Sequence, residues 1–426
     1  MRLGCVGSSK SVDNSYALPA QHTSRGRDLV SSYGQHSRDP FHPDAANNPQ
    51  EAYARIHSEC PVTREADMNG KSTVYLTRYA DVMWALKHPE VFSSAPGAVD
   101  IGQSQPLIPL QVDPPEHAKY RRFLDPEFSP RRMAELEPDV RALTNEVLDR
   151  FVDKGGCEFH QEFATPLPSA LFLRLMGLPQ SDLEMFLGWR DDTIRPASSD
   201  PEEMSAIRDR AGKAITAYFE ESLAEKTRNP DDGLLTRLAN GEIEGRPVTA
   251  EEKLGMCHLL LLAGLDTVTA TLDCMIVFLA RNPEMRAQIV ADPSRIPAVI
   301  EELLRWDTPV ALIARMLTSD TEIGGVEVKA GDGCAVVIGA ADVDAEEFDR
   351  AGSVDFDRPA NRHVAFGAGP HRCLGSHFAR LELRVAIEEW HRRIPEYSIP
   401  DEVEVNFTPA IRQAMSLPLD WPLTKP

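Results

Sequence analysis

The chain has 426 residues, 42% of them apolar, enough to bury a large core. A formal net charge of −21 with no long basic run argues against nucleic-acid binding. No stretch supplies the roughly 20 uninterrupted apolar residues of a membrane span, and the N-terminus lacks the apolar core of an export signal, so a cytoplasmic protein is expected.

Residues 1–39 are polar and rich in Ser and Gly, which predicts a disordered tail. Residues 40–426 carry no internal repeat or long linker and are expected to form a single domain. The first part, 49–90, mixes short helices with a strand-like piece at 72–77. The Pro- and Gly-rich stretch 95–115 reads as loop. It still holds Leu107, Ile108 and Leu110, and an apolar loop packs on the core or on a ligand. Helical periodicity resumes at 116 and runs to about 226, broken between Pro196 and Pro201.

Thr249-Ala250-Glu251-Glu252 is a capping box. The helix it opens is predicted to continue to Arg281, where Asn282-Pro283 stops it. An amphipathic helix follows at 293–306, then a hairpin turn at Ile323-Gly324-Gly325-Val326, a buried strand at 334–338 and a last helix at 375–394. The fold class is mainly α with a minor β portion (α+β). The seven cysteines are scattered, odd in number and without C-x-x-C spacing, which argues against a disulfide framework and a structural zinc site.

One cysteine stands apart. Phe366-Gly367-Ala368-Gly369-Pro370-His371-Arg372-Cys373-Leu374-Gly375 lies between an extended segment and a helix. Its glycines permit a tight turn that presents a single thiolate to a flat ligand, with the positive end of the next helix beside the sulfur. An incidental cysteine in a glycine-rich turn is the competing reading, but six positions matter here together. Zinc needs about four ligands, and His371 with Cys373 supplies two.

The segment resembles the haem-binding signature of the cytochrome P-450 family, F-G-x-G-x-H-x-C-x-G, at every fixed position. The resemblance runs from about Asp39 to the C-terminus and is closest in motifs to the soluble bacterial, camphor-hydroxylase type. It implies a triangular-prism fold with haem b between a long central helix and the cysteine loop. It also implies that Cys373 is the iron ligand and that Phe366, Gly367 and Gly375 shape its loop, in a monooxygenase using dioxygen.

Three further constellations extend the resemblance. Ala263-Gly264-Leu265-Asp266-Thr267 puts a costly polar pair in an apolar helix. Gly264 there costs about 1 kcal/mol relative to Ala and is expected to let a flat group or dioxygen approach the backbone. A helix kink with a satisfied Thr competes. The family's motif implies that Asp266 and Thr267 deliver protons to dioxygen, although Val268 stands where many relatives have a second Thr. Glu302 and Arg305 match a structural E-x-x-R motif, with Arg358 as its third member; a surface pair is the bland alternative. His117 and Arg121 share a helix face, for which a solvated face is the competing reading on spacing alone, and by resemblance they contact the haem propionates together with Arg315 and His371.

Candidate pocket residues, placed by resemblance, are Leu107, Ile108 and Ala263, with Val310, Leu312, Ile313 and Ile411 from the C-terminal half. All are apolar, which favours a small or medium hydrophobic substrate, a terpenoid first; Gln105 is a candidate polar contact. No flavin or nucleotide motif is present, so electrons are expected from a ferredoxin or flavodoxin with its NAD(P)H reductase. Lys119, Arg122, Arg372, Arg380 and Arg384 are the candidate docking face, each equally readable as an ordinary solvated residue. Rival readings are a haem-thiolate peroxygenase or isomerase, and a non-catalytic haem gas sensor.

Overall fold

The computed structural model describes residues 43–66, 72–98, 106–409 and 411–423. The predicted tail 1–39 and Gln105 lie outside the described residues. The main helices are α1 (Tyr79–Lys87), α2 (His117–Leu124), α3 (Pro130–Leu148), α4 (Pro166–Met176), α5 (Leu183–Ile194), α6 (Pro201–Arg228), α7 (Ala250–Gly264), α8 (Thr267–Arg281), α9 (Ile296–Trp306) and α10 (Ser376–Arg393). The predicted breaks hold: α5 ends before Pro196 and α6 begins at Pro201, capped by Asp200, whose carboxylate accepts from the amides of Glu202 and Glu203. The capping box at α7 forms in both directions, Thr249 N–H to Glu252 at 2.9 Å and Glu252 N–H to the Thr249 hydroxyl at 3.2 Å.

The β portion is one five-stranded sheet plus three two-stranded pairs among the described residues. Its strands are β1 (Val62–Ala66), β2 (Ser72–Leu76), β3 (Phe92–Ser93), β4 (Ile313–Leu317) and β5 (Gly333–Val336), in the order β1-β2-β5-β4-β3. Only β2 and β5 run parallel, with Cys334 opposite Val74. Residues 72, 74 and 76 point inward, as a period of two requires. Ile323 pairs with Val326 across Gly324 and Gly325, both at positive φ, as a type I′ turn demands. The strand expected at 334–338 ends at Val336, because Ile338 opens a short helix, Ile338–Ala341.

Two large apolar cores hold the helices. One gathers α3, α8, α9 and α10 around the buried Trp390. The other gathers α4, α5, α6 and α7 around Phe186 and Phe219. The span Ala250–Arg281 is long and apolar enough to cross a membrane by length and composition, but most of it is buried inside the fold. Cys157, Cys257, Cys274, Cys334 and Cys373 are free thiols. Cys60 is disulfide-bonded, which departs from the expectation of unpaired cysteines.

Candidate active site

Cys373 sits where the extended segment after Val364 turns into α10. The turn is fixed by its backbone: Gly367 N–H donates to Val364 O at 2.7 Å and Cys373 N–H to Phe366 O at 2.8 Å. Gly369, at φ +66°, lies against α1, where a Cβ would stand 2.2 Å from Leu86 O, so no other residue fits. Phe366 is clamped from outside by Arg380, whose guanidinium stacks 4.3 Å from the ring centroid.

The sulfur is both solvent-accessible and deeply surrounded by protein. Both hold together only if it faces an internal void. Gly375 opens onto space where a Cβ would meet nothing, so the loop has the shape of a cradle. Burial pushes the thiol's pKa up, while the Gly375 N–H and the charges of Arg121, Arg372 and Arg380 pull it back. A coordinated metal would deprotonate such a thiol outright.

Beside the loop the fold gathers positive and donor groups. α2 begins at His117, as expected after Pro114-Pro115, and its ring lies 4.3 Å from that of His371. β4 carries Arg315, opposite Cys334, only 5% exposed. Burial draws its pKa down to about 10. Burial, then Arg315, His117 and Arg121, hold His371 at about 3, and its Nε2 is buried without a partner. Arg121 reaches the Arg372 carbonyl at 2.6 Å and Asp125 at 2.9 Å. Buried donors crowded on one another are unfavourable unless an anion joins them. These donors therefore suit a cofactor carrying two carboxylates.

The predicted single helix 249–281 is in fact two, α7 and α8, interrupted at Leu265-Asp266. At the break the Thr267 hydroxyl donates to Ala263 O at 3.1 Å, competing with the helical ladder. Ala263 is exposed at the end of the largely buried α7, so it borders open space. Gly264 does not: a Cβ there would stand 2.7 Å from the Phe172 ring, so the glycine is small to admit α4, and the expected approach to its backbone is corrected. Leu374, next to Cys373, packs on the same core as Leu260, Leu261 and Leu265, which brings the cysteine loop to this helix.

Asp266 is fully buried and ionically held by Arg195 at 2.5 Å, with Arg190 at 3.9 Å; its Oδ1 has no hydrogen-bond partner. The sequence reading missed both arginines. They lie 71 and 76 residues upstream, and the available signal was the general need of a buried carboxylate for a cation.

Glu302 and Arg305 are both buried and pair through two bonds of 2.9 Å. Arg358 joins Glu302 at 2.9 Å, and Arg305 also donates to the carbonyls of Asp342, Ala351 and Ser353. The carboxylate of Asp342 in turn accepts Val364 N–H at 2.6 Å. The network therefore leads to the segment that enters the cysteine loop.

The pocket candidates divide. Val310 and Ile411 form a β-bridge, and Ile313 lies 3.7 Å from where a Cβ on Gly367 would stand. Leu312 packs partly against Tyr53 and Ala340. Leu107 and Ile108 are placed elsewhere, in the packed core: Ile108 N–H donates to Gly255 O at 3.3 Å. Eight residues separate Gly255 from Ala263, about 12 Å along a helix. The predicted basic face is also largely neutralised: Lys119 pairs with Glu116, Arg122 with Glu244, Arg380 with Glu301, and Arg384 with Glu137 and Glu388.

Residues 191–390 match the family model for cytochrome P450. The chain is 34% identical over 365 residues to a probable cytochrome P450 127A1 of Sinorhizobium fredii, covering 84% of this chain and 86% of that one. It is 33% identical to a steroid C26-monooxygenase of Mycolicibacterium smegmatis, covering 85% and 89%. Among solved structures, a mutant of P450 EryK in complex with erythromycin B superposes with a TM-score of 0.80 at 31% identity, over 89% of this chain and 97% of that one. CYP109E1 from Bacillus megaterium in complex with testosterone superposes with a TM-score of 0.81 at 27% identity, over 89% and 99%.

Proposed function

Since the chain belongs to the cytochrome P450 family, and so is a haem b-dependent monooxygenase, we propose that it hydroxylates a C–H bond of a medium-sized hydrophobic substrate in the cytoplasm. The observation that carries this reading is the Cys373 thiol, deeply surrounded yet open to a void at the start of α10. Haem, when bound, supplies the dioxygen activation that the side chains cannot.

The chain's own residues divide the remaining work. Cys373 holds the iron, in a loop shaped by Phe366, Gly367 and Gly375. His117, Arg121, Arg315 and His371 take the cofactor's carboxylates. Asp266, close to the helix break, relays protons inward, and the Thr267 hydroxyl, free to leave the Ala263 carbonyl, orients them towards dioxygen. Ala263, Val310, Leu312, Ile313 and Ile411 exclude water and hold the substrate. Leu107 and Ile108 act only as packing behind α7.

A terpenoid remains the first substrate class, supported by the apolar candidates and the Leu265-Asp266-Thr267-Val268 run. A steroid is the second, favoured by the relative named for steroid oxidation and the neighbour with testosterone bound. Electrons come from a ferredoxin and its NAD(P)H reductase, docking near Arg372, which is exposed and lies one residue from Cys373.

The test is a spectral-shift screen of purified holoenzyme with terpenoids, steroids and fatty acids, followed by product analysis with a ferredoxin and reductase. A hydroxylated terpenoid or steroid is expected. Binding of fatty acids alone overturns the substrate class. Full turnover with hydrogen peroxide and no electron donor overturns the electron route in favour of the peroxygenase.

A further inference from the structure

Polar contacts continue inward from Arg195. Its guanidinium donates to Asp266 Oδ2 and also to Gln413 Oε1. Gln413 Nε2 lies 3.3 Å from His160 Nε2, and His160 Nδ1 lies 2.8 Å from Asp273 Oδ2, which also accepts Ala414 N–H at 3.2 Å. Asp266, Asp273 and Gln413 are buried, while the His160 and Arg195 side chains keep 13% and 25% exposure. Five side chains, from the C-cap of α5, α8, the helix break, the turn at His160 and the C-terminal loop, thus form one line that touches solvent at His160 and at Arg195.

The line has a fixed polarity. A guanidinium only donates, so Gln413 must turn its carbonyl to Arg195 and its NH2 to His160. His160 Nε2 must then accept, which requires the neutral ring with its proton on Nδ1, donated to Asp273. A second proton, on Nε2, sets donor against donor. Thr165, whose hydroxyl lies 3.5 Å away, offers that proton another acceptor, and Gln413 must let go of the ring or flip and lose Arg195. Arg195 has a second anion at hand in Asp191, at 3.2 Å.

We propose that Gln413 is a positioning residue that latches Arg195 onto Asp266, and that His160, backed by Asp273, sets the latch when neutral and releases it when protonated. The proposal rests on the reading of Asp266 as the acid of the proton relay. With the latch set, Asp266 is held immobile against Arg195. On release Arg195 turns to Asp191, and Asp266 keeps only Arg190, at 3.9 Å, so it is free to take and pass a proton. The groups facing His160 are Asp273 from α8, Glu158 from the preceding strand and Arg190 from α5, with neutral Thr165 and Gln413. Burial resists a proton on His160, and the hydrogen bond and charge of Asp273 outweigh it, so its pKa lies above the ordinary 6.5.

The test is nitrogen-15 histidine NMR on the reduced, carbon-monoxide-bound holoenzyme, which is diamagnetic, alongside product yield per reducing equivalent against pH. In the wild type, His160 Nε2 should give the signal of an unprotonated acceptor above its titration, and yield should rise as the pH falls through it. Gln413→Leu should raise the His160 pKa, and Gln413→Glu, which only accepts, should raise it further, by about one unit or more. Gln413→Leu should also hold the yield at its acid-side level across the range. An Nε2-protonated ring at high pH, or a His160 pKa unmoved in both variants, overturns the latch. Wild-type turnover by Asp266→Asn overturns the relay reading instead, so the two failures are distinguishable.

Discussion

At Cys373, three of the neighbouring charges belong to arginines, and the Gly375 amide points at the sulfur. Serine keeps the size and the hydrogen bond but loses the soft, easily ionised donor. Cys373→Ser is therefore expected to fold, with an unchanged far-ultraviolet spectrum, and to lose the strongly red-shifted absorption band of the reduced, carbon-monoxide-treated protein. Retention of that band would remove Cys373 as the ligand. Thr267→Ala deletes the hydroxyl that now bonds Ala263 O. Product per reducing equivalent should fall about 10-fold or more, as for loss of one positioned proton donor, while substrate binding stays near wild type; an unchanged yield excludes Thr267 from the relay. Features written in local spacing, such as the tight turn that holds Cys373 before α10 and the Glu302–Arg305 pair, were legible in the sequence. Gly264 was misread because its reason for being small, the Phe172 ring, lies 92 positions away and leaves no local trace. Arg190, Arg195 and Gln413 were illegible for the same cause.

Elements were read well where their ends are chemically marked. The capping box, Asn282-Pro283, the glycine hairpin and Pro201 each left a boundary within a residue or two of the observed one. The interruption of 249–281 was legible only as the competing reading, a kink with a satisfied Thr267, because apolar periodicity passes straight through it. α9 shows what an element can carry. Its Glu302 is wholly buried and binds two arginines, so Glu302→Ala leaves both uncompensated and should cost about 3–5 kcal/mol, read as a fall in Tm together with faster haem loss. One residue earlier, Glu301 binds Arg380 and His363. Burial raises its pKa, but these two partners outweigh it and hold the carboxyl at about 2, below the ordinary 4.5. A depressed carboxylate stabilises the fold above its unfolded pKa and loses that contribution as pH falls through the folded one. The Tm gap between wild type and Glu301→Gln should therefore be full at neutral pH and close as the pH drops from 4.5 to about 2. A gap independent of pH would show that the charge is immaterial.

On the scale of the molecule, the net charge of −21 masks a local arrangement in which most surface arginines near the cysteine loop are already paired with glutamates. Electron-donor docking should then depend on few charges: Arg372→Glu is expected to lower the ferredoxin-supported reduction rate and flatten its salt dependence, with no effect on dithionite reduction. Equal rates in both assays would move the docking surface elsewhere. The interruption at Leu265-Asp266 also has a mechanical side. Leu254, Leu260, Leu261 and Leu265 belong to one apolar core, and Val268, Leu272, Met275 and Ile276 to the other, so the gap in the helix coincides with the frontier between them. A bulky guest lodged beside Ala263 can thus push α5 and α6 outward with α7 while the Trp390 half stays rigid, the break serving as a hinge. Hydrogen exchange should register guest binding in α5, α6 and α7 and leave α3, α9 and α10 as they were, which would let one scaffold accept guests of unequal girth without loosening its grip on the iron.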